Sequence, residues 1–182
     1  KWGDKGMKLS DEEQDFYVNM KFKDTETLSQ LLMPKLKVSN NTNFTATFTS
    51  ANYQLYSTLE SEMIVYNKMI FNNLYLKNKT ERNKTTANIS LKELVLKEAK
   101  GKNDVELGLE NIVFLLDAHS DSLLFDLSWN DDADEDKNKG NLEAVFLPND
   151  IHGGKLHLTT SDVIINDSLW NLSPTCFVDF KK

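Results

Sequence analysis

The sequence predicts an all-β protein with one short helix, built as a long antiparallel meander that forms a single gutter-shaped sheet. Three observations lead to this prediction. Almost every periodic segment alternates apolar and polar residues, with the period of two that half-buried strands show. Turn-forming residues separate these segments at intervals typical of a meander. Only one segment has helical spacing, so a layer of helices covering the sheet is not expected.

Length and composition favour one domain. The chain has 182 residues, of which 40% are apolar, and no composition break or Pro-rich linker divides it, so we predict a single β-rich domain over residues 1–182. The chain begins at Lys1 without a methionine and stops directly after an alternating segment without a turn signal. We therefore expect it to be a fragment of a longer protein. Cys176 is the only cysteine, which leaves no internal disulfide.

Charge excludes one class of partner. The formal net charge is −7, from 28 acidic and 21 basic residues, and Arg82 is the only arginine. Recognition of phosphates and guanine relies on arginine and on basic patches. We therefore exclude nucleic acid as a partner.

The alternating segments follow one another along the whole chain. In order, they are Phe16–Phe22, Phe44–Phe48, Tyr53–Leu55, Met63–Val65, Leu74–Leu76, Ile89–Leu91, Leu94–Leu96, Val105–Leu109, Leu123–Trp129, Leu142–Phe146, Leu156–Leu158, Val163–Ile165 and Cys176–Phe180. The apolar phase jumps between Leu91 and Leu94, which predicts a bulge or a turn there. Turns are predicted at Asn40-Asn41, 50–52, Asn72-Asn73, 101–104, 130–140 and 148–154.

The single predicted helix lies in "DTETLSQLLMP". Asp24 is the expected N-cap, because its carboxylate can accept bonds from the free N–H groups of the first turn. Leu28, Leu31 and Leu32 form the apolar stripe, and Pro34 ends the helix. At about two turns, such a helix cannot cover a long sheet.

Motifs for catalysis or metal binding are missing from the sequence. It contains no Gly-rich phosphate loop, no G-x-S-x-G, no H-E-x-x-H and no C-x-x-C, so we predict no catalytic residues, no metal site, no cofactor and a protein that is not an enzyme. The acidic loop "DDADEDK" partly matches an EF-hand through Asp132, Asp134 and Asp136, but Lys137 stands where the sharp turn requires glycine. His152 and His157 fall on opposite faces of an extended segment, which disfavours shared metal ligation.

The apolar faces of these strands need a cover. Either the sheet folds onto a second sheet as a β-sandwich, or one face stays open. Trp129 ends one alternating segment and Trp170 follows another, and core packing explains most residues of this kind without a ligand.

Several segments resemble repeat units of TamB/AsmA-like proteins, especially those of Bacteroidetes. The segments are "SDVIINDSLWNLSP", "LENIVFLLDAHSDSLLFDLSWND", "GNLEAVFLP" and "FKDTETLSQLLMPKLKVSNNTNFTATF". In this family a strand ends in Asn/Asp-x-x-Trp before a turn and the next strand. The resemblance spans most of residues 14–180 and implies a long, twisted, taco-shaped β-sheet, anchored in the inner membrane, that reaches across the periplasm. Its concave face is apolar and thought to shield or conduct lipid chains. The family's membrane helix and conserved C-terminal domain are not found in this chain.

On this reading, the chain is a periplasmic, cell-envelope segment of a TamB/AsmA-like protein that takes part in lipid transport or outer-membrane biogenesis. Its expected partners are phospholipids or other acyl chains, and an outer-membrane assembly partner would bind through regions outside this sequence. The candidate groove residues are Leu107, Leu109, Leu123, Phe125, Leu127, Trp129, Ala144, Phe146, Val163 and Ile165. Strand register decides which face is inward. The alternative is a secreted or surface β-sandwich that binds a glycan or a protein.

Overall fold

The structure, a computed structural model, describes residues 13–23, 25–97, 107–130, 138–149, 153–165, 168–173 and 175–180. One helix and twelve strands follow in chain order. They are β1 (Asp15–Phe22), α1 (Glu26–Leu32), β2 (Leu36–Val38), β3 (Thr42–Thr49), β4 (Gln54–Tyr66), β5 (Met69–Glu81), β6 (Lys84–Lys97), β7 (Leu107–His119), β8 (Leu123–Asn130), β9 (Asn138–Asn149), β10 (Gly153–Ile165), β11 (Ser168–Asn171) and β12 (Phe177–Phe180).

All of these strands belong to one open antiparallel sheet of 12 strands. From β3 to β11, each strand lies beside the next in the chain, so the sheet is the predicted meander. β1 pairs with β3 at one edge, and α1 and the short β2, which pairs with β4, connect the two. At the other edge β10 pairs with β12 through Gly154–His157 and with β11 through Asp162–Ile165.

The all-β class, the single short helix and the open antiparallel sheet are confirmed. Within the described ranges, no second sheet packs face to face on the first, so these residues do not form the β-sandwich that was the alternative. The reason lies in the topology, because each strand from β3 to β11 pairs with the next strand in the chain and so extends the same layer.

Two hairpin turns occur at positions where the sequence analysis predicted none. Between β4 and β5, Asn67 and Lys68 have φ of 50° and 76°, the pair of positive values that a type I′ hairpin requires. Arg82 and Asn83 turn between β5 and β6. The predicted turns at Asn40-Asn41 and 50–52 are confirmed, whereas 101–104 lies outside the described residues.

The predicted turn at Asn72-Asn73 is wrong, because both residues lie inside β5. Asn73 does adopt a positive φ, 50°, but it does so inside a strand that continues on both sides of it. The phase jump between Leu91 and Leu94 likewise falls inside the continuous strand β6. Asparagine tolerates the left-handed region, and this tolerance serves strand irregularities as well as turns.

Helix α1 begins at Glu26, with Thr25 as its N-cap residue, and ends before Pro34 as predicted. The expected cap, Asp24, lies outside the described residues. Leu31, one of the three leucines of the predicted apolar stripe, is 80% exposed. The helix instead turns Thr25, Ser29 and Met33 toward the sheet, at the i, i+4 spacing of one helical face.

Candidate functional site

Register places most apolar side chains of the sheet on one side, which we call the apolar face. Residues directly opposite each other on paired strands share a face. The apolar members on the regular parts of the strands are Phe16, Val18, Met20, Phe22, Phe44, Ala46, Phe48, Leu55, Leu59, Leu74, Leu76, Ala87, Ile89, Leu91, Ile112, Phe114, Leu116, Ala118, Leu123, Phe125, Leu127, Trp129, Leu142, Ala144, Phe146, Leu156, Leu158, Val163 and Ile165. The face therefore runs without a break from β1 to β10.

The centre of the apolar face is a row of buried side chains that crosses the strands. Leu91, Ile112, Trp129 and Val163 are 9%, 6%, 8% and 6% exposed and form one cluster. The Trp129 ring lies over Gly140, since a Cβ on Gly140 would meet the ring's Cζ2 atom at 2.3 Å. In this way β9 contributes an open position into which the largest side chain of the row fits.

Next to the central row lies a second transverse row, at which the alternation of the strands changes phase. Glu62, Asn73, Lys92 and Asn111 occupy successive strands at one level of the register, and Asn73 and Asn111 have φ of 50° and 47°. Beyond this row, which we call the crease, the alternation shifts by one residue. The shift brings Phe71, Leu94 and Leu109 against the central cluster, and the apolar face continues across the crease.

The structure collects the candidate groove residues on the apolar face. Leu123, Phe125, Leu127 and Trp129 come from β8, Ala144 and Phe146 from β9, and Val163 and Ile165 from β10. Leu109 joins them because the crease lies between it and Ile112. For Leu107 the structure describes only the backbone position at the start of β7. Whether these side chains hold lipid stays a prediction.

Two members of the central row, Leu91 and Ile112, were missing from the predicted groove. The signal for Leu91 was present, since it ends the alternating segment Ile89–Leu91. Ile112 opens the longest apolar run, Ile112–Leu116. A continuous apolar run shows no alternation, so the sequence does not tell which of its residues share a face. The pairing of Phe114 with Leu127 places Phe114, and with it Ile112, on the apolar face.

Helix α1 covers the β1–β4 end of the apolar face. Beneath it lies a cavity of about 280 Å³ with an almost wholly apolar lining that includes Phe22, Met33, Leu59 and Ile64. The remaining length of the face has no comparable cover among the described elements, since the contacts of α1 are with its neighbour β2 and this one end of the sheet.

A cluster of hydroxyl groups anchors that covered end. Thr42, only 1% exposed, shares a hydrogen bond of 2.6 Å with the Ser61 hydroxyl and donates to the Ser39 carbonyl at 2.9 Å. The Ser39 hydroxyl accepts from the Met63 N–H at 3.1 Å. These buried polar groups satisfy one another, as a stable interior requires, and no basic group lies in their network to activate a nucleophile.

The opposite side of the sheet, which we call the polar face, carries ion pairs. Lys84 Nζ donates to Asp117 Oδ2 at 2.8 Å, and this bond lowers the pKa of Asp117. Lys79 lies 2.8 Å from Glu81 and lowers the pKa of that carboxyl by a hydrogen bond. A hydrogen bond with the Tyr56 side chain raises the pKa of Lys77. These ion pairs and most of the apolar side chains thus lie on opposite sides of one layer.

Of the three histidines, the structure describes His119 and His157. His119 Nε2 lies 3.1 Å from Asp117 Oδ1 on the polar face, and His157 contacts the Phe177 ring. Asp132, Asp134, Asp136 and His152 lie outside the described residues. Among the residues that the structure does describe, no group of three or more His, Cys, Asp or Glu side chains is placed to hold a metal ion.

Comparison with known proteins gives no relative for this chain. No family model, no curated protein and no solved structure matches it. Within the described ranges, no helix combines the length and the apolar content needed to cross a bilayer.

Proposed function

We propose that this chain is a periplasmic segment of a TamB/AsmA-like protein, and that its apolar face shields lipid acyl chains during lipid transport or outer-membrane biogenesis. One observation carries the proposal, namely an apolar face that runs from β1 to β10 and is covered only at its β1–β4 end within the described part of the chain. Soluble proteins rarely leave a surface of this kind in water, and such surfaces mark binding sites for apolar partners.

The energetics suit a lipid chain. Each buried methylene contributes about 0.8 kcal/mol, so contact with several carbons outweighs the loss of translational freedom on binding. Half-buried residues such as Phe114, Phe125 and Leu142 would provide the contact, together with the central row beside them on the same face. An acyl chain needs no hydrogen-bond partner, and this property matches a face with few polar atoms.

The resemblance of the sequence to TamB/AsmA-like repeats supports the cell-envelope setting. In that setting, anchoring in the inner membrane and contact with an outer-membrane assembly partner belong to regions outside this sequence. We propose a passive conduit and no reaction.

The proposal is tested by expressing the chain in bacteria, purifying it without detergent and analysing solvent extracts by mass spectrometry. We expect phospholipid in stoichiometric amounts. The double variant Leu127→Gln with Phe146→Gln places two amides on the apolar face and should lower the bound lipid several-fold. Leu147→Gln is the matched control, because Leu147 is 45% exposed and lies beside Phe146 in β9 but on the polar face.

A second measurement reports contact directly. With Trp2 and Trp170 replaced by phenylalanine, Trp129 is the only tryptophan, and lipids brominated along the acyl chain should quench its fluorescence more than lipids without bromine. Lipid-free protein that sediments as a dimer, with no quenching, would contradict the proposal, because the apolar face would then be covered by a second copy.

A further inference from the structure

The polar face carries a depression that the lipid proposal does not use. It has a volume of about 630 Å³ and is lined by residues of every strand from β4 to β10. Sites for small organic ligands have volumes of about 300–1,000 Å³ and combine an apolar floor with a few polar groups. The depression fits this description in both size and composition.

Its floor is apolar although it lies on the polar side of the sheet. Leu115 and Leu124, on adjacent strands, are 40% and 43% exposed, and Val145 pairs with Leu124 across the next strand. These apolar side chains lie on the same face as the ion pairs of Lys79 and Lys84. A ligand body placed over them would remove apolar surface from water.

Two carboxylates stand directly beside this floor. Asp126 and Glu143 are directly opposite each other on β8 and β9, which places their Cβ atoms about 5 Å apart. Both are half-buried. Glu143 Oε2 accepts a hydrogen bond of 3.0 Å from the Thr160 hydroxyl, and no basic side chain of the described chain pairs with either acid. Like charges opposite each other destabilise a sheet unless a cation compensates them.

The basic side chains of the depression are already engaged elsewhere. Lys77 Nζ lies 5.6 Å from the centre of the Tyr56 ring, and Lys79 pairs with Glu81. Both lysines lie on β5, three strands from Asp126 on β8. At about 4.8 Å per strand, this is a separation of about 14 Å along the sheet. Charge is thus divided along the depression, with the uncompensated negative end at β8 and β9.

We propose that this depression binds an organic cation with an apolar body. The ammonium group lies between the carboxylates of Asp126 and Glu143, where it donates charge-assisted hydrogen bonds of about 2.7–2.9 Å, and the body covers Leu115 and Leu124. The positive charges of the two lysines on β5 disfavour an ammonium group at that end, and they therefore fix the orientation of the bound ligand. This site lies on the opposite side of the sheet from the lipid-binding surface and does not depend on it.

The test uses three probes with the same phenyl body: 2-phenylethylammonium, 2-phenylethanol and 3-phenylpropionate. Titration followed by ¹H–¹⁵N NMR should shift the amide signals of Leu115, Asp126 and Glu143 with the ammonium compound. We expect its affinity to exceed that of the alcohol by about tenfold, from charge-assisted bonds to two carboxylates, and the propionate to bind more weakly still.

The double variant Asp126→Asn with Glu143→Gln should reduce the affinity for the ammonium compound to that for the alcohol. Asp121→Asn is the matched control, since Asp121 is an exposed acid in the turn before β8 and should leave binding unchanged. Phe146→Gln, on the apolar face, should also leave it unchanged, which separates this proposal from the lipid one. Equal affinities for ammonium and alcohol, or full binding by the double variant, would overturn the proposal.

Discussion

Trp129 and Trp170 lie on the same apolar face, at its centre and at its edge, and their environments differ sharply. Trp129 is 8% exposed and Trp170 is 58% exposed, although Val163 is directly opposite Trp170 and lies in the same transverse row as Trp129. Trp129 has strands on both sides and a glycine beneath its ring, whereas Trp170 lies on the short edge strand β11. In this single layer, burial comes from neighbours within the sheet.

The largest difference is expected between alanine substitutions of these two residues. Trp129→Ala should lower the free energy of unfolding by about 3–5 kcal/mol, because it leaves a cavity in the central row. Trp170→Ala should cost under about 1 kcal/mol. Urea denaturation measures both. Similar losses would show that the edge is packed as tightly as the centre.

Gly140→Ala tests the fit of the central tryptophan. The added Cβ would come within 2.3 Å of the Trp129 ring, and overpacking of this kind should cost about 1–3 kcal/mol. In a Trp129→Leu background the same substitution should cost less, because the ring that it meets is gone. A double-mutant cycle with no coupling between the two positions would contradict the described contact.

Thr42→Val addresses the end of the face that α1 covers. It removes the hydroxyl that bonds Ser61 at 2.6 Å and the Ser39 carbonyl at 2.9 Å, and the buried partners left behind should make the loss about 1–3 kcal/mol. Thr45→Val is the control, because Thr45 bonds Thr58 at 2.7 Å on the half-exposed polar face. The control should lose less than Thr42→Val in thermal unfolding.

The smallest effect is expected on the polar face, from Lys84→Gln. The Lys84 bond holds the pKa of Asp117 below its ordinary value, so the ion pair stabilises the fold above about pH 4, and this contribution is lost as the pH falls through the lowered pKa. The variant should raise the pKa of Asp117 in a ¹³C NMR titration. Lys92→Gln, an exposed substitution away from Asp117, should leave it unchanged.

Alternation predicted the fold class and the shared face of residues such as Phe125, Phe146 and Val163, because side-chain direction in a strand follows directly from sequence position. It could not predict how strands behave at Asn73 and Asn111. Asn72-Asn73 was predicted as a turn and Asn111 was not, yet Asn73 and Asn111 both adopt positive φ inside strands. The residue type shows that asparagine tolerates a positive φ. Only the pairing with neighbouring strands decides whether the chain reverses direction there or continues as a strand.

The polar-face depression was not predictable for a related reason. Asp126 and Glu143 lie 17 positions apart, and each reads as an ordinary solvent-facing residue of its own strand. The two acids lie opposite each other only because of the register between β8 and β9. A slip of one residue would place a leucine or an alanine opposite Asp126 instead of Glu143.

The meander also has a mechanical consequence. From β4 to β9, each strand exchanges hydrogen bonds mainly with the strands before and after it, so within the described ranges no pairing joins the two ends of the sheet. Pulled from its termini in an optical trap, the chain should unzip one hairpin at a time and give a ladder of small extensions. On relaxation it should close again from any surviving hairpin, as arrays governed by nearest-neighbour coupling do.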